Sequence, residues 1–351
     1  MKIGILVYGS LDTVSGGYYY DRRLVAALRE RSHVVQIISI PLRSYATALI
    51  DNFSFRFPGG LDLLIEDELC HASLLRANRS QNGTPIIGLV HHLRSCEDHP
   101  QWKKIFFRFF ERAYLRSVDG FIFVSETTRR DVQALVGDRK PNVLANPPCD
   151  RFGSRFPKAM VAERALQPGP LRVLFLGNVI PRKGLHTLLA AMAHLPVNSI
   201  LLDVVGSLDA DPVYARKIQK QCSPLGLCGS IRFHGTLEGK PLEERFETAQ
   251  ILVVPSSYEG FGIVYLEGMG LGLPAIGTTS GAACEIITSG ENGYLIPPGD
   301  TLALAKHLGD LLTGRDHLRV LAQNALESYQ LIQPWNATAD RINDFLIGMA
   351  A

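Results

Sequence analysis

The strongest chemical signal in the sequence is a pair of glutamates, Glu259 and Glu267, in the segment PSSYEGFGIVYLEGM. A loop is predicted to carry Glu259, and a helix is predicted to begin near Gly262. Glycines let a ligand approach the backbone closely, and a helix start offers free N–H groups to a phosphate. Ionised carboxylates are pure acceptors that suit the hydroxyl groups of a sugar. The alternative is that Glu259 caps the helix and Glu267 is solvated, but the glycines and the preceding strand end favour a ligand site.

Two further segments also lie between an apolar run and a helix. Gly177–Gly184 contains Arg182 and Lys183, and a lysine there is placed to meet a phosphate as a point charge, although a basic pair before a helix is often only a solvated loop. Gly16-Gly17 follows the first apolar run and by itself indicates a turn. A dinucleotide-binding enzyme would have GxGxxG at this point and an acidic residue ending the second strand. Neither is present, which argues against an NAD-dependent oxidoreductase.

Histidines and carboxylates end two other apolar runs in the first half of the chain. His91 and His92 follow one run, and the acidic triplet 66–68 with His71 follows another. A histidine at a strand end is often structural. The acidic triplet either lines a binding site for a second substrate or forms a solvated loop and helix cap.

Each of these segments directly follows a predicted buried strand. The predicted strands are Lys2–Tyr8, Val34–Ile40, Leu61–Ile65, Pro85–Val90 and Gly120–Val124, followed by Leu171–Gly177, Ile200–Gly206, Ser230–His234, Ile251–Pro255 and Pro274–Gly277. They lack polar alternation, as expected when helices cover both faces of a parallel sheet. Helical patterns such as Tyr19–Glu30 and Leu185–His194 lie between them. In such sheets, ligands bind beyond the carboxyl ends of the strands.

The length of 351 residues predicts about two domains. Hydrophobic residues make up 46% and charged residues 20%, which excludes a disordered or collagen-like chain. A stretch rich in proline and glycine, residues 146–170, indicates a linker with one short helix. We therefore predict an α/β protein with two doubly wound, Rossmann-like domains facing a cleft. The predicted boundaries are 1–150, a linker at 151–170, 171–330, and a C-terminal segment at 331–351.

Charge and cysteine content limit the class of protein further. The net charge is +2, from 36 basic and 34 acidic residues, but residues 1–165 carry 23 basic and 17 acidic residues, a net of +6. The small total charge excludes a protein that coats nucleic acid. The positive charge of the first half favours binding to an anionic surface or ligand. The six cysteines, Cys70, Cys96, Cys149, Cys222, Cys228 and Cys284, form no CxxC pair. With no long apolar stretch, the sequence predicts reduced thiols in a cytoplasmic protein.

One predicted helix, residues 102–116, is both basic and aromatic. Lys104, Arg108, Arg112 and Arg116 recur every four residues, and the sequence between them is rich in phenylalanine. Ile105, Phe109 and Leu115 are candidates for the inward face. The helix either docks on an anionic membrane, as a peripheral contact at its cytoplasmic face, or packs on the core with a solvated basic face.

Taken together, these motifs resemble the retaining GT-B glycosyltransferases of family 4 over nearly the whole chain. The most specific match is Glu259-x7-Glu267 within PSxxEGFG. Supporting matches are Gly16-Gly17, Phe123-Val-Ser125, Gly177 with Lys183-Gly184, Phe233-His-Gly235, Glu291-Asn-Gly293, and Pro334-Trp335 before a last helix that in the family returns to the first domain.

The resemblance implies a nucleotide-sugar site in the second domain. Lys183 would contact the diphosphate, Glu259 the hydroxyls of the transferred sugar, and Glu267 the ribose diol. His91 would bind the sugar near the reacting centre, and the Gly16-Gly17 loop would approach the donor phosphate. The implied donor-binding residues are Gly16, Gly17, Asn178, Arg182, Lys183, Gly235, Thr236, Glu259, Gly260, Phe261, Gly262 and Glu267. The implied catalytic residues are His91 and Glu259, and the acceptor-side candidates are Asp67, Glu68 and His92.

One position departs from the family pattern. The family usually has an arginine where this chain has Asn178, and such an arginine would neutralise the leaving diphosphate. Losing a charged donor there costs about 3 kcal/mol of transition-state stabilisation. Arg182, four residues later, is the candidate replacement. Asp209-Ala-Asp211 resembles the metal signature of a different glycosyltransferase fold, but its place before Pro212 predicts a turn and a helix cap.

The resemblance thus implies a hexosyltransferase that acts in polysaccharide biosynthesis, with no metal and no cofactor beyond the nucleotide-sugar co-substrate. It would move a sugar with retention of configuration to a hydroxyl of a glycan or lipid-linked acceptor. Two alternatives remain at this stage. The first is a nucleotide-sugar epimerase of the same fold, and the second is a non-catalytic nucleotide-sugar-binding protein, which Asn178 motivates.

Overall fold

The computed structural model describes residues 1–81, 83–148, 150–152 and 156–351. The chain divides into two compact units: unit 1 comprises residues 1–148 and 333–351, and unit 2 comprises residues 149–332. Five of the six predicted thiols are free cysteines, and Cys149 lies outside the described residues. Among the described residues, no helix has both the length and the apolar composition needed to cross a bilayer.

Each unit is built on a parallel sheet. The strands of unit 1 are β1 (Lys2–Tyr8), β2 (Val34–Ile40), β3 (Leu63–Asp67), β4 (Ile86–Val90), β5 (Gly120–Phe123) and β6 (Asn142–Leu144). The strands of unit 2 are β7 (Leu171–Leu176), β8 (Ile200–Val205), β9 (Ile231–Gly235), β10 (Ile251–Val253), β11 (Ala275–Thr278) and β12 (Gly293–Ile296). The orders are β2-β1-β3-β4-β5-β6 and β12-β11-β10-β7-β8-β9. Both are doubly wound, as the sequence predicts.

Helices connect the strands of both sheets. They are α1 (Gly16–Glu30), α2 (Tyr45–Asp51), α3 (His71–Ser80), α4 (Gln101–Leu115), α5 (Glu126–Val136), α6 (Lys158–Leu166), α7 (Leu185–Met192), α8 (Pro212–Gln221), α9 (Gly239–Thr248), α10 (Ile263–Gly270), α11 (Thr301–Thr313), α12 (Arg315–Gln330) and α13 (Trp335–Ala350). The central strands β3, β4, β5 and β10 are buried along their whole length. This burial on both faces explains the continuous apolar sequences of β4, β5 and β10, whereas β3 ends in two buried carboxylates, Glu66 and Asp67.

The last helix, α13, belongs to unit 1 although it ends the chain. The ring of Trp335 packs edge-on against Tyr20 of α1, with centroids 5.4 Å apart. Arg31, just after α1, forms an ion pair with Asp340 at 2.6 Å. The two helices are therefore joined by both an aromatic and an ionic contact.

Two strands were missed by the sequence analysis, β6 and β12. β6 is only three residues long and half-buried, and β12 has four residues that begin at Gly293. Both are at a sheet edge. Short edge strands bury little surface, so they need no long apolar run and leave little signal in the sequence.

Candidate functional site

In unit 2 the loops after β7 and β10 carry the main predicted donor residues. β7 is the first strand of unit 2, and it lies between β8, the next in sequence, and β10. The chain therefore reverses its winding direction between β7 and β10. A crevice opens at such a reversal point, and ligands of doubly wound sheets bind in it. The topology thus brings the Gly177–Gly184 and Pro255–Gly262 segments to the place where a ligand is expected.

Lys183 and Glu259 form an ion pair across this point. Lys183 Nζ donates to Glu259 Oε1 at 2.5 Å, and Ser256 Oγ donates to the same oxygen at 2.6 Å. An Arg182 guanidinium nitrogen lies 3.8 Å from Glu259 Oε2 and donates to the Tyr258 carbonyl at 3.0 Å. Lys183 and Arg182, the two cations of the loop after β7, therefore both contact the loop after β10. The alternative of a solvated basic loop is wrong.

Two glycines, Gly184 in the loop after β7 and Gly281 in the loop after β11, let these loops approach the Pro255–Gly262 segment closely. Gly184 has a φ of +72°, and a Cβ there would lie 2.0 Å from the Pro255 carbonyl oxygen. Gly281 has a φ of +78°, and a Cβ there would lie 2.1 Å from the Glu259 carbonyl oxygen. Any other residue at either position would push the loops apart. The position of Glu259 is therefore fixed from both sides.

The charge state of Glu259 follows from these contacts. Burial by itself would raise the pKa of this carboxyl, but Lys183 and Arg182 lower the pKa to about 2. Burial also lowers the pKa of Lys183, while the carboxylate opposes that shift. At 2.5 Å the ionised pair is the state we expect at neutral pH. Glu259 does not cap α10, whose N-cap is Gly262 without a side-chain cap bond. The alternative of a helix cap is therefore wrong.

Glu267 lies in α10 and is buried, not solvated. Only 4% of the residue is exposed. Burial raises the pKa of Glu267 to about 7, although the guanidinium of Arg151, 3.7 Å away, lowers it. Arg151 lies equally close to Glu238, whose side chain is exposed. A buried carboxyl with a raised pKa and one distant cation can still accept hydrogen bonds from a ligand.

The remaining predicted donor residues have varied roles in the fold. Asn178 Oδ1 accepts from the Ser207 amide at 3.3 Å, so this side chain connects the loops after β7 and β8. Gly235 ends β9, its carbonyl accepts from the Gly206 amide at 2.8 Å, and Thr236 beyond it is exposed. The predicted helix cap at Asp211 is confirmed, since its Oδ1 accepts from the Tyr214 amide at 3.0 Å.

The buried part of the α10 junction includes two more predicted residues. Phe261 and Gly262 are buried, whereas Gly260 is half-buried. No side chain of the described residues caps the first amides of α10. The Tyr265 amide donates to the Gly262 carbonyl at 2.9 Å, so the amides of Ile263 and Val264 are the ones placed to bind an anion.

In unit 1 the predicted catalytic histidine forms a pair with a buried aspartate. His91 Nε2 lies 3.0 Å from Asp21 Oδ1, and the His91 amide donates to Glu68 Oε2 at 2.8 Å. The ring packs edge-on against Tyr20 at 5.4 Å. Gly17 lies over the same ring, since a Cβ there would be 3.6 Å from His91 Cδ2. The structure thus brings the predicted Gly16-Gly17 turn and His91 together.

The pair with Asp21 determines the charge of His91. Burial by itself would lower the pKa of the imidazole, but Asp21, with smaller contributions from Asp67 and Glu68, raises it to about 10. His91 is therefore expected to be a cation over the whole neutral range. A charged imidazole is a hydrogen-bond donor and not a general base.

The acidic triplet 66–68 is buried, with Glu66 and Asp67 at the end of β3 and Glu68 directly after it, so the solvated-loop alternative is wrong. Glu66, Asp67 and Glu68 are each at most 3% exposed. The helix-cap part of that alternative is correct, because Asp67 Oδ1 accepts from the Leu69 amide at 2.9 Å. Burial raises the pKa of Asp67 to about 7 and that of Glu66 to about 8. Partial protonation therefore limits the charge of this cluster at neutral pH.

One cluster in the described part of the chain has the spacing of metal ligands. The side-chain oxygens of Asp21 and Asp67 and a ring nitrogen of His91 lie within 4.8 Å of one another. The pairing with Asp21 favours the protonated imidazole, so within this cluster the His91–Asp21 contact is a charged hydrogen bond.

The predicted acceptor-side histidine, His92, contacts a different carboxylate. His92 Nε2 lies 2.9 Å from Glu97 Oε1, and His99 approaches the same carboxylate at 3.3 Å. Three residues of these sites were missed by the sequence analysis: Asp21, Ser256 and Arg151. Asp21 had a usable signal, because it is an acidic residue among the buried apolar positions of α1. Ser256 and Arg151 had no such signal, because only the folded chain shows their contacts with Glu259 and Glu267.

Comparison with known proteins gives consistent matches along the chain. The family profile described as glycosyl transferases group 1 matches residues 158–328, and that of glycosyltransferase family 4 matches residues 30–147. D-inositol 3-phosphate glycosyltransferase of Xylanimonas cellulosilytica is 27% identical over 61% of this chain and 54% of that protein. The chain spans about half the length of the first curated relatives it matches, with shares of 54%, 45% and 46%.

Two solved structures resemble the whole chain. Sucrose-phosphate synthase from Thermosynechococcus elongatus has a TM-score of 0.82 at 22% identity, covering 99% of this chain and 98% of that one. HepE from Anabaena, in complex with UDP and glucose, has a TM-score of 0.76 at 18% identity, covering 99% of both chains. At these identities the likeness concerns the fold.

Proposed function

This chain belongs to the group 1, family 4 glycosyltransferases and has their GT-B fold, and we propose that it transfers a sugar from a nucleoside diphosphate to a hydroxyl of a glycan or lipid-linked acceptor. We further propose that the transfer retains the anomeric configuration and needs no metal ion. The observation that carries this proposal is the Lys183–Glu259 pair at the point where the winding of the unit 2 sheet reverses. The UDP and glucose in the HepE structure support a nucleotide-linked donor.

Each charged group of unit 2 has a chemical task in this proposal. On donor binding, Lys183 exchanges the Glu259 carboxylate for a diphosphate oxygen. The released carboxylate accepts hydrogen bonds from the hydroxyls of the transferred sugar, and Ser256 keeps it oriented. Glu267 accepts from the ribose diol, and the first amides of α10 bind a phosphate. Arg182 supplies the second positive charge that the family usually has at the position of Asn178.

Retention would follow from attack on the face that the leaving group occupies. The bond from the anomeric carbon to the diphosphate oxygen breaks, and the acceptor oxygen forms the new bond on the same face. The departing diphosphate takes the proton of the acceptor hydroxyl, so no protein base is required. Lys183 stabilises the charge that develops on the leaving group. In unit 1, His91 acts as a charged hydrogen-bond donor to the sugar, and Asp21 keeps it protonated.

A thermal-shift panel of nucleoside diphosphates tests the donor site directly. A ligand that binds only the folded state at about 100 times its Kd adds about 2.7 kcal/mol of stability, or about 5 °C or more in Tm. We expect one base to give this shift and the others to give less. Equal shifts with all bases, or none with any, would contradict the donor site. Turnover of nucleotide sugars that carry the selected base only when an acceptor is present would separate transfer from epimerisation.

Replacing Asp21 with asparagine tests its role as the positioning residue for His91. Without the aspartate charge, burial should lower the pKa of His91, so kcat is expected to fall about tenfold at pH 8 and to rise again toward acidic pH. The wild-type rate should lack this acidic recovery. An imidazole titration by NMR and a pH–rate profile measure both effects. Asp62→Asn, at the amino end of β3, is the matched control and should behave as wild type. An unchanged histidine titration in Asp21→Asn would refute the assignment.

A further inference from the structure

Helix α4 of unit 1 has an apolar face on each side. Its inner face buries Phe107, Tyr114 and Leu115. On the opposite side, Trp102 is 67%, Ile105 59%, Phe106 42% and Phe109 70% exposed. These four positions are spaced i, i+3, i+4 and i+7, so they form one stripe along the helix. We call them the apolar stripe. A core-facing helix of a globular protein normally has one such face. The second face of α4 is largely turned to solvent, with the contact of Phe106 to Tyr45 at 5.7 Å on its border.

The expectation that Ile105 and Phe109 face inward is wrong, and two contacts explain why. Glu111 is buried and accepts from the Ser95 amide at 3.1 Å. Phe107 packs against Tyr45 at 5.0 Å and under the guanidinium of Arg94. These contacts fix the rotation of the helix, and they leave the residues of the apolar stripe turned to solvent.

The exposed side of α4 is also strongly basic. Lys103, Arg108, Arg112 and, just past the helix end, Arg116 are exposed beside the apolar stripe. The single acidic residue of α4 is Glu111, and it is buried on the inner face. In the described part of the chain, Arg108, Arg112 and Arg116 form no ion pair with a carboxylate. Large apolar side chains beside several exposed arginines and lysines match the boundary between acyl chains and anionic headgroups.

We propose that this face of α4 docks unit 1 on an anionic lipid bilayer. The apolar stripe enters the headgroup boundary, with Trp102 at the depth that its amphipathic ring prefers. The arginines stay at the level of the lipid phosphates and bind them in forked geometry. A second copy of the chain is a poorer occupant, because a symmetric contact would bring two faces of the same positive charge together. This inference concerns unit 1 and does not rest on the donor site of unit 2.

The chain carries a built-in reporter for this docking. It has two tryptophans, Trp102 and Trp335, and Trp335 is buried against Tyr20. In this chain with Trp335→Phe, fluorescence therefore comes from Trp102 alone. Vesicles of phosphatidylcholine mixed with phosphatidylglycerol should shift its emission to the blue and sediment with the protein. Vesicles of phosphatidylcholine alone should do so at least about tenfold more weakly, and added salt should weaken binding to the anionic vesicles.

Two variants separate the apolar and the charged contributions. Trp102→Ser with Phe109→Ser should reduce sedimentation with anionic vesicles at least about tenfold, and Arg108→Gln with Arg112→Gln should do the same. Val213→Ser with Leu302→Ser removes two equally exposed apolar side chains of unit 2 and should bind as wild type. Because all these positions are exposed, the variants should keep the wild-type Tm.

Three outcomes would overturn the proposal. The first is the absence of both sedimentation and a blue shift with anionic vesicles. The second is equal binding to neutral and anionic vesicles that does not depend on the arginines. The third is a wild-type dimer in light scattering that becomes monomeric in Trp102→Ser with Phe109→Ser, since a second copy would then cover the apolar stripe.

Discussion

Replacing Lys183 with methionine is expected to reduce kcat about a hundredfold or more with a nucleotide-sugar donor that carries the base selected by the nucleoside diphosphate panel. Lys183 is the cation that, in the proposed mechanism, meets the leaving diphosphate, and loss of one such donor removes about 3 kcal/mol of transition-state stabilisation. The same change leaves the buried Glu259 carboxylate without its 2.5 Å partner. Removing one member of a buried ion pair costs about 3 kcal/mol of stability, at the lower end of the usual range because Arg182 and Ser256 remain.

The stability part of this prediction has its own control and pH dependence. Adding Glu259→Gln to Lys183→Met removes the uncompensated charge and should recover most of the lost stability, while activity stays low. Because the folded pKa of Glu259, about 2, lies below its ordinary value of 4.5, the pair stabilises the fold above about pH 4.5. This stabilisation should be lost as the pH falls toward 2.

Urea unfolding at several pH values measures the effect, and Lys220→Met on the exposed side of α8 is the matched lysine control. If Lys183→Met unfolds at the wild-type urea concentration at pH 7, the ion pair has no structural role. If it also keeps wild-type turnover, the proposed diphosphate contact is wrong.

The second large effect is expected from Glu267→Ala, which should raise the Kd for the nucleoside diphosphate itself about thirtyfold, even with no sugar attached. Two ribose hydroxyls donating to a carboxylate contribute about 2 kcal/mol in total after the exchange with water. The pKa of Glu267 is about 7 because burial raises it. Wild-type affinity should therefore fall as the pH decreases from 8 to 6, since the protonated carboxyl is a weaker acceptor. The variant should lack this pH dependence.

Glu238→Ala is the matched control for this measurement. Glu238 and Glu267 lie at the same 3.7 Å distance from Arg151, but Glu238 is exposed. Loss of an Arg151 partner is therefore common to both variants, whereas loss of the ribose acceptor belongs to Glu267→Ala alone. Calorimetric titration of the nucleotide would show whether they differ. Equal affinities for the two variants would exclude Glu267 as the ribose ligand.

Several properties of this protein were determined by the sequence itself. The continuous apolar runs predicted ten of the twelve strands, because a strand buried between two layers of helices needs apolar residues at every position. Gly184 marked a turn between strand and helix, because only glycine adopts the required backbone there without a clash. The motif around Glu259 and Glu267 predicted the family, and the family profiles confirm it.

The tertiary structure alone decided which charges meet. The sequence placed Lys183 and Glu259 in separate loops, 76 positions apart, and their 2.5 Å contact exists because β7 and β10 are neighbours in the sheet. The pair of His91 with Asp21 likewise joins positions 70 residues apart. A pKa depends on burial and on the distance to other charges, and both are properties of the folded chain. The rotation of α4 was undetermined for the same reason: with apolar residues on both sides, only the contacts of Phe107 and Glu111 select which face is buried.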